Sequence, residues 1–294
     1  MQDRQGRAVL AVLGAGLCLS FGDAVVKLTS SGFSLWQVFT LRSGLAVLAL
    51  GAFVVVARVS IKLGPSLMRW GVARSVLLVI MWLLYYAALP HMEFALAAAI
   101  YYAAPIFMAL MSVVFLGDRM TALGWGAVAL GFAGVLLILK PAGDIDPVVL
   151  LPVLSAGCYA AAMVLTRVKC RDETPLTLAF LLHATFVLAG IIGTLASPLL
   201  GLDGYLGPHW AAMSAQAWLA MGVLAAAALV GSIFAAIAYQ NASPALVGTA
   251  DYSYVIFAVV WGALLFSEIP DAVSAVGIGC IVIAGAAMAM RGLR

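Results

Sequence analysis

Charge is what this sequence has least of. Only 9% of its 294 residues are Asp, Glu, Lys or Arg, against about 25% in an ordinary soluble domain. With 65% hydrophobic residues, a water-soluble globular chain is excluded. The other scarcities narrow the function. Four cysteines, Cys18, Cys158, Cys170 and Cys280, show no CxxC spacing, and three lie in apolar segments where a free thiol behaves as a small hydrophobe. Three histidines, His91, His183 and His209, form no HExxH motif and no Asp-rich run accompanies them, so neither a resident metal nor a cofactor is expected. No GxxxxGK[ST] run and no Gly-Lys pair occurs, which leaves ATP-driven pumping without its phosphate-binding loop. The net charge of +3 is dispersed through short loops and is no nucleic-acid footprint.

What the chain has in abundance is long apolar runs. A helix needs about 20 residues to cross a hydrocarbon core about 30 Å thick. The runs place helices near 8–29, 34–57, 67–89, 93–116, 121–140, 147–166, 174–197, 216–240, 243–267 and 271–290. They lack the alternation of barrel strands. Arg4 and Arg7 flank the first run, but it continues into Asp23 and Lys27 with no small-residue cleavage site, so it reads as a retained helix rather than a signal peptide. Basic residues cluster in alternate loops, among them Arg58, Lys62, Arg69, Arg119, Arg167, Lys169 and Arg171. By the positive-inside rule both termini are expected in the cytoplasm of a bacterium, the chain lying in its inner membrane.

The sequence also repeats itself. Ala95-Leu96, Tyr102, Ile106, Phe107 and Asp118 recur at the same spacing as Ala245-Leu246, Tyr252, Ile256, Phe257 and Glu268. Upstream, Val12, Leu13, Ala15 and Gly16 lie over Val153, Leu154, Ala156 and Gly157. The expected architecture is all-α: ten transmembrane helices as two five-helix repeats, residues 1–144 and 145–294. Five is odd, so the second copy enters from the opposite face and the repeats are inverted around a central cavity. Small residues at Gly126 and Gly134, and at Ala275, Gly279, Gly285 and Ala289, provide packing surfaces that also allow a homodimer through peripheral helices.

Each half has an Ala-rich fourth helix closing in Phe-Leu-Gly-Asp (115–118) or Leu-Phe-Ser-Glu (265–268). Together with the duplication, these turns resemble the drug/metabolite transporter superfamily, its EamA-type exporters, and within them the YddG-type amino-acid exporters. That resemblance implies a central cavity lined mainly by the first, third and fourth helices of each half.

Candidate site residues follow from where the aromatics fall. Trp82, Tyr85 and Tyr86 stand three and four apart, on one helix face. Tyr101 and Tyr102 precede Pro105, and Asp251, Tyr252 and Tyr254 occupy the ninth helix. Tyr159 in the sixth helix and His183 in the seventh complete the substrate-binding set. Tyrosine offers a flat apolar face with a polar tip, suited to a small amphiphile, although belt residues and plain packing use the same chemistry. Asp251, a carboxylate within a span, needs a partner. His183 reads first as a satisfied interhelical hydrogen bond, at the repeat position of Arg42. Asp23, Lys27, Arg42 and Pro105 are gating or coupling candidates. Asp23 and Lys27, four apart, are expected to form a local ion pair; the sharper alternative makes them part of an outer gate or proton relay. Arg42 has Asp23 or Asp251 as partner, and Pro105 kinks the fourth helix. Asp118 and Glu268 are expected to bond loop amides and start the helices that follow.

The expected function is secondary transport, not enzymatic: export of a small amphipathic metabolite, foremost a hydrophobic or aromatic amino acid, by alternating access. The alternatives are an exporter of organic cations and, from another class, a membrane-embedded lipid-modifying enzyme. The expected partners are the small-molecule substrate and the lipid bilayer.

Overall fold

In lipid a backbone must satisfy its own N–H and C=O groups, so apolar runs of spanning length become helices. The computed structural model describes residues 2–58, 64, 65, 67–116, 122–139, 147–170, 173–241 and 253–291. Its helices are α1 (Gln2–Thr29), α2 (Leu35–Ala57), α3 (Val72–Ala88), α4 (Phe94–Tyr101), α5 (Ala104–Leu116), α6 (Ala122–Leu139), α7 (Leu150–Lys169), α8 (Pro175–Ala196), α9 (Ala215–Asn241), α10 (Ser253–Phe266) and α11 (Ala272–Arg291). Among the described residues, six helical stretches are long and apolar enough to cross a membrane, and Gly124–Leu137, Ser253–Phe266 and Ala272–Ala284 are shorter apolar helices. The first half of the expected ninth span, with Asp251 and Tyr252, lies outside the described residues, as does Asp118.

Local signals set several boundaries. Ser34 caps α2 by accepting from the Gln37 N–H at 3.3 Å, and Thr174 caps α8 by accepting from Thr177 N–H at 3.2 Å. Asp271 Oδ1 accepts from Ser274 N–H at 2.8 Å at the start of α11. Each such cap satisfies an N–H that the helix itself cannot.

One expected span is corrected. Residues 93–116 are not one continuous helix but α4 and α5, separated by a turn at Tyr102 and Ala103. Pro105 has no N–H to give to the Tyr101 carbonyl, so the ladder fails there. The chain restarts with Ile106 N–H donating to Ala103 O at 2.9 Å, leaving Pro105 in the first turn of α5, where its missing donor costs nothing.

The two halves interleave. α1 packs along α9 and α3 along α7; α2 lies on α8, and α6 on α11. Smaller residues bring the crossings close. A Cβ on Gly190 would come within 2.2 Å of Thr40 Oγ1, and one on Gly193 within 2.2 Å of the Trp36 ring, so α8 meets α2 nearly backbone to side chain. Gly134 approaches the Gly277 carbonyl in the same way, joining α6 to α11 within one chain. Leu48, Val55, Val56, Leu195, Leu219 and Leu264 are exposed on the perimeter. Such an apolar exterior would be a liability in water and is what a lipid-facing surface requires.

Candidate functional site

The main buried cluster contains the sequence's polar exceptions. Asp23, six residues before the end of α1 at Thr29, is 2% exposed. Its Oδ1 accepts a hydrogen bond from the Tyr86 hydroxyl of α3 at 2.7 Å. Its Oδ2 accepts from the Tyr254 hydroxyl of α10. Tyr85 places its own hydroxyl 3.4 Å from that of Tyr254. A charged group inside a span costs roughly 2.5–3.5 kcal/mol on insertion scales, while a hydrogen bond to a charged group returns about 1.5–3 kcal/mol. Two phenolic donors therefore suffice to hold the carboxylate without a salt bridge.

The tyrosines converge because of their spacing on α3 and because the break after α4 turns two aromatics inward. Trp82 lies 4.9 Å from Tyr86 and 6.5 Å, stacked, from Tyr101. Tyr101 contacts Tyr85 at 5.3 Å and Tyr159 of α7 at 5.5 Å. Tyr102, in the turn itself, stacks on Tyr254 at 4.9 Å. Six of the expected aromatics thus form one body with Tyr254, drawn from α3, the α4–α5 turn, α7 and α10. Tyr85 and Tyr86 are fully enclosed, whereas Trp82, Tyr102 and Tyr159 keep partial exposure.

Arg42 on α2 extends this body toward the second half. Its Nη1 donates to the Tyr86 hydroxyl at 3.0 Å, and its guanidinium lies 5.0 Å from the Phe186 ring centre on α8. Asp23 and Arg42 are consequently joined through Tyr86 rather than directly. His183, 3% exposed, stands on the same α8 face with its ring 6.4 Å from Phe186. Its Nδ1 has no hydrogen-bond partner among the described residues, so the expected satisfied interhelical bond is not formed at that atom.

The local Asp23–Lys27 pair does not form. Lys27 instead makes a 2.6 Å salt bridge with Glu268, beyond the end of α10, and donates to the Met92 carbonyl at 2.7 Å. Asp23 faces the enclosed tyrosines, whereas Lys27 lies one turn nearer the helix end, where a second carboxylate and a carbonyl are offered. Glu268 also differs from expectation: its Oε2 accepts from Phe94 N–H at 2.8 Å, the first residue of α4, rather than starting the helix that follows it. That role at α11 falls to Asp271. A carboxylate at the α4 N-terminus is favoured by the orphan amide and the helix dipole. The side chain of Pro105 lies outside the described residues.

Residues 6–140 match the model of the EamA-like transporter family. The pseudopaline exporter CntI of Pseudomonas aeruginosa is 29% identical over 286 residues, 94% of this chain and 93% of that one. A riboflavin transporter of Rhizobium johnstonii is 33% identical over 190 residues, 64% of this chain and 58% of that one. The EamA-like match over the first half and the full-length likeness to CntI together support a place in the drug/metabolite transporter superfamily.

It is accordingly an integral membrane transporter and not an enzyme. A crystal structure of another protein shares the fold of this transporter, with a TM-score of 0.63 over 98% of each chain at 18% identity. Among the described residues no three His, Cys, Asp or Glu side chains group as metal ligands. Sequence reasoning overlooked Glu268 as the partner of Lys27 and Tyr205 as a side chain packed on the main buried cluster. The first had a signal, an acid recurring at the repeat position of Asp118. Tyr205, in a short 3-10 turn of the long connection, had none.

Proposed function

We propose that this transporter exports small amphipathic metabolites, with hydrophobic and aromatic amino acids as the leading class, by alternating access of two inverted halves. The observation that carries the reading is the Asp23 carboxylate, held by Tyr86 from one half and Tyr254 from the other. A substrate bearing an ammonium group and an aromatic or aliphatic side chain would exchange those phenolic donors for its own and stack on Trp82, Tyr101 and Tyr159. Because the carboxylate is shared between halves, binding and relative motion are mechanically linked.

The inversion draws support from the helix pairings. Exchanging the halves, residues 1–144 for 145–294, turns the α1–α9 contact into α7–α3 and the α2–α9 contact into α8–α3, while α2–α8 and α6–α11 map onto themselves. With both termini cytoplasmic, the Lys27–Glu268 bridge lies at the outer mouth and ties α1 to the far end of α10. It acts as an outer latch, opening when substrate draws α1 and α10 apart. Arg74 donates through Nε to Thr166 Oγ1 of α7 at 2.7 Å, an interaction at the α3–α7 crossing rather than with Asp23.

One observation favours a second reading. A buried acid ringed by aromatic faces also suits a quaternary or protonated organic cation. Labelled phenylalanine, tryptophan, leucine and choline, tested for flux in sealed proteoliposomes with and without a pH gradient, separate the two. Saturable flux of the amino acids, lost in Trp82→Ala, supports the first; choline movement without amino-acid movement replaces it with the second.

A further inference from the structure

Beyond Asp23, a second set of polar atoms is enclosed without partners. Arg42 uses Nη1 on Tyr86, yet its Nε has no hydrogen-bond partner among the described residues. Nor has His183 Nδ1, and nor has the Tyr205 hydroxyl. Leaving a buried polar group unsatisfied costs about 1–3 kcal/mol each, so three together in one region call for a reason.

The region is a single one. Arg42 and His183 are 5% and 3% exposed and are brought together at the α2–α8 crossing, where both flank Phe186. Tyr205 packs against the same buried cluster that contains Phe39 and Phe186, the two rings that the Arg42 guanidinium covers. Tyr205 is positioned from the long α8–α9 connection, which is pinned to α2 by Trp36 Nε1 donating to the Leu206 carbonyl at 2.7 Å. Gln37 fixes the same connection by donating to the Ala211 carbonyl at 2.8 Å and accepting from the Ala211 N–H at 2.9 Å. The loop is thus anchored firmly enough to present a phenol to the bundle interior. An arginine edge, an imidazole nitrogen and a phenol share one complement: an anion with several acceptor lone pairs.

We propose that Arg42, His183 and Tyr205 form a carboxylate subsite of the transport site, selecting substrates with a free carboxylate at the end opposite the Asp23 centre. The inference rests on the transport reading above and specifies its substrate class: zwitterions, with the cationic end at Asp23 and the anionic end at Arg42. Tyr86, which bonds both Asp23 and Arg42, separates the two ends and is the group a zwitterion would displace. His183 and Tyr205 are specificity residues here, each giving a hydrogen bond to the ligand that it lacks without it.

The test uses the purified full chain and two probes, phenylacetate with a carboxylate alone and phenethylamine with an amine alone. Binding is read by thermal stabilisation and by competition against labelled phenylalanine. Wild type should bind both. Tyr205→Phe removes a hydroxyl that bonds nothing among the described residues, so a folding defect is not expected, and it should weaken phenylacetate about 10-fold while leaving phenethylamine within about 2-fold, the scale of one hydrogen bond to a charged group. Arg42→Gln should abolish phenylacetate binding. If phenylalanine is not transported but phenylacetate binds and depends on Tyr205, the amino-acid reading falls and the carboxylate subsite stands. If phenylalanine is transported while its amide competes equally well and Tyr205→Phe changes neither probe, the subsite is overturned and the transport reading survives. Failure of wild type to bind phenylacetate also overturns it.

Discussion

Tyr86 stands between the opposite charges of Asp23 and Arg42, giving its proton to Asp23 Oδ1 at 2.7 Å and accepting from Arg42 Nη1 at 3.0 Å. One phenol thereby neutralises the isolation of two intramembrane ions from different helices. Tyr86→Phe should remove both bonds and strand two buried groups, a loss of about 2–5 kcal/mol for charged partners. Tyr85→Phe loses only a hydroxyl contact of 3.4 Å and should change stability by under about 1 kcal/mol. Thermal unfolding in detergent compares them. Equal unfolding temperatures would show that Tyr86 is not the link between the ions.

The Lys27–Glu268 bridge holds side chains only 11% and 21% exposed. Breaking a largely buried pair from one side leaves a charge without its partner and costs about 3 kcal/mol or more. Glu268→Gln should therefore loosen the mouth at the α1 end. With the four native cysteines replaced by alanine, Met92→Cys should react faster with an impermeant maleimide in the Glu268→Gln background than alone. A reversed pair, Lys27→Glu with Glu268→Lys, should restore slow labelling in part. Labelling rates that ignore the pair would remove its latch role.

Close packing of α8 on α2 gives a purely steric prediction. Gly193→Ala must displace the Trp36 ring, which lies 2.2 Å from the added Cβ, at a cost of about 1–3 kcal/mol. Gly279→Ala has nothing within 4 Å and should be neutral to within about 0.5 kcal/mol. Unfolding temperature and yield from membranes read the difference; equal values would mean that the α2–α8 crossing is not tight.

How far the sequence foretold this arrangement depended on whether the governing contact was periodic or long-range. The helices followed from apolar length, since lipid leaves the backbone no other solution. Trp82, Tyr85 and Tyr86 could be assigned to one face from spacing alone, and they do gather with Tyr101, Tyr102, Tyr159 and Tyr254. The fate of Asp23 was not legible. The i,i+4 rule describes exposed helices, where Lys27 would be the nearest partner; in a bundle, phenols from α3 and α10 reach the acid first. Lys27 finds its carboxylate 241 positions away, a pairing no local rule contains. Similarly, Pro105 announced a disturbance of the fourth span, but not that Tyr102 and Ala103 would form a turn. Asp251 and Tyr252 lie outside the described residues; among those described, Asp23 is the enclosed acid.

Counterflow of labelled phenylalanine into proteoliposomes preloaded with unlabelled phenylalanine, compared between wild type and Asp23→Asn, tests the central claim most directly. The variant keeps size and shape, removes the buried charge and turns an amide NH2 toward one of the two phenols, so counterflow is compared per folded, reconstituted protein. Loss of counterflow by at least about 10-fold, the weight of one charge-assisted contact, is the result the proposed site requires. Counterflow in Asp23→Asn equal to that of the wild type would contradict it, because the acid joining Tyr86 to Tyr254 would then be structural and the transport path would lie elsewhere.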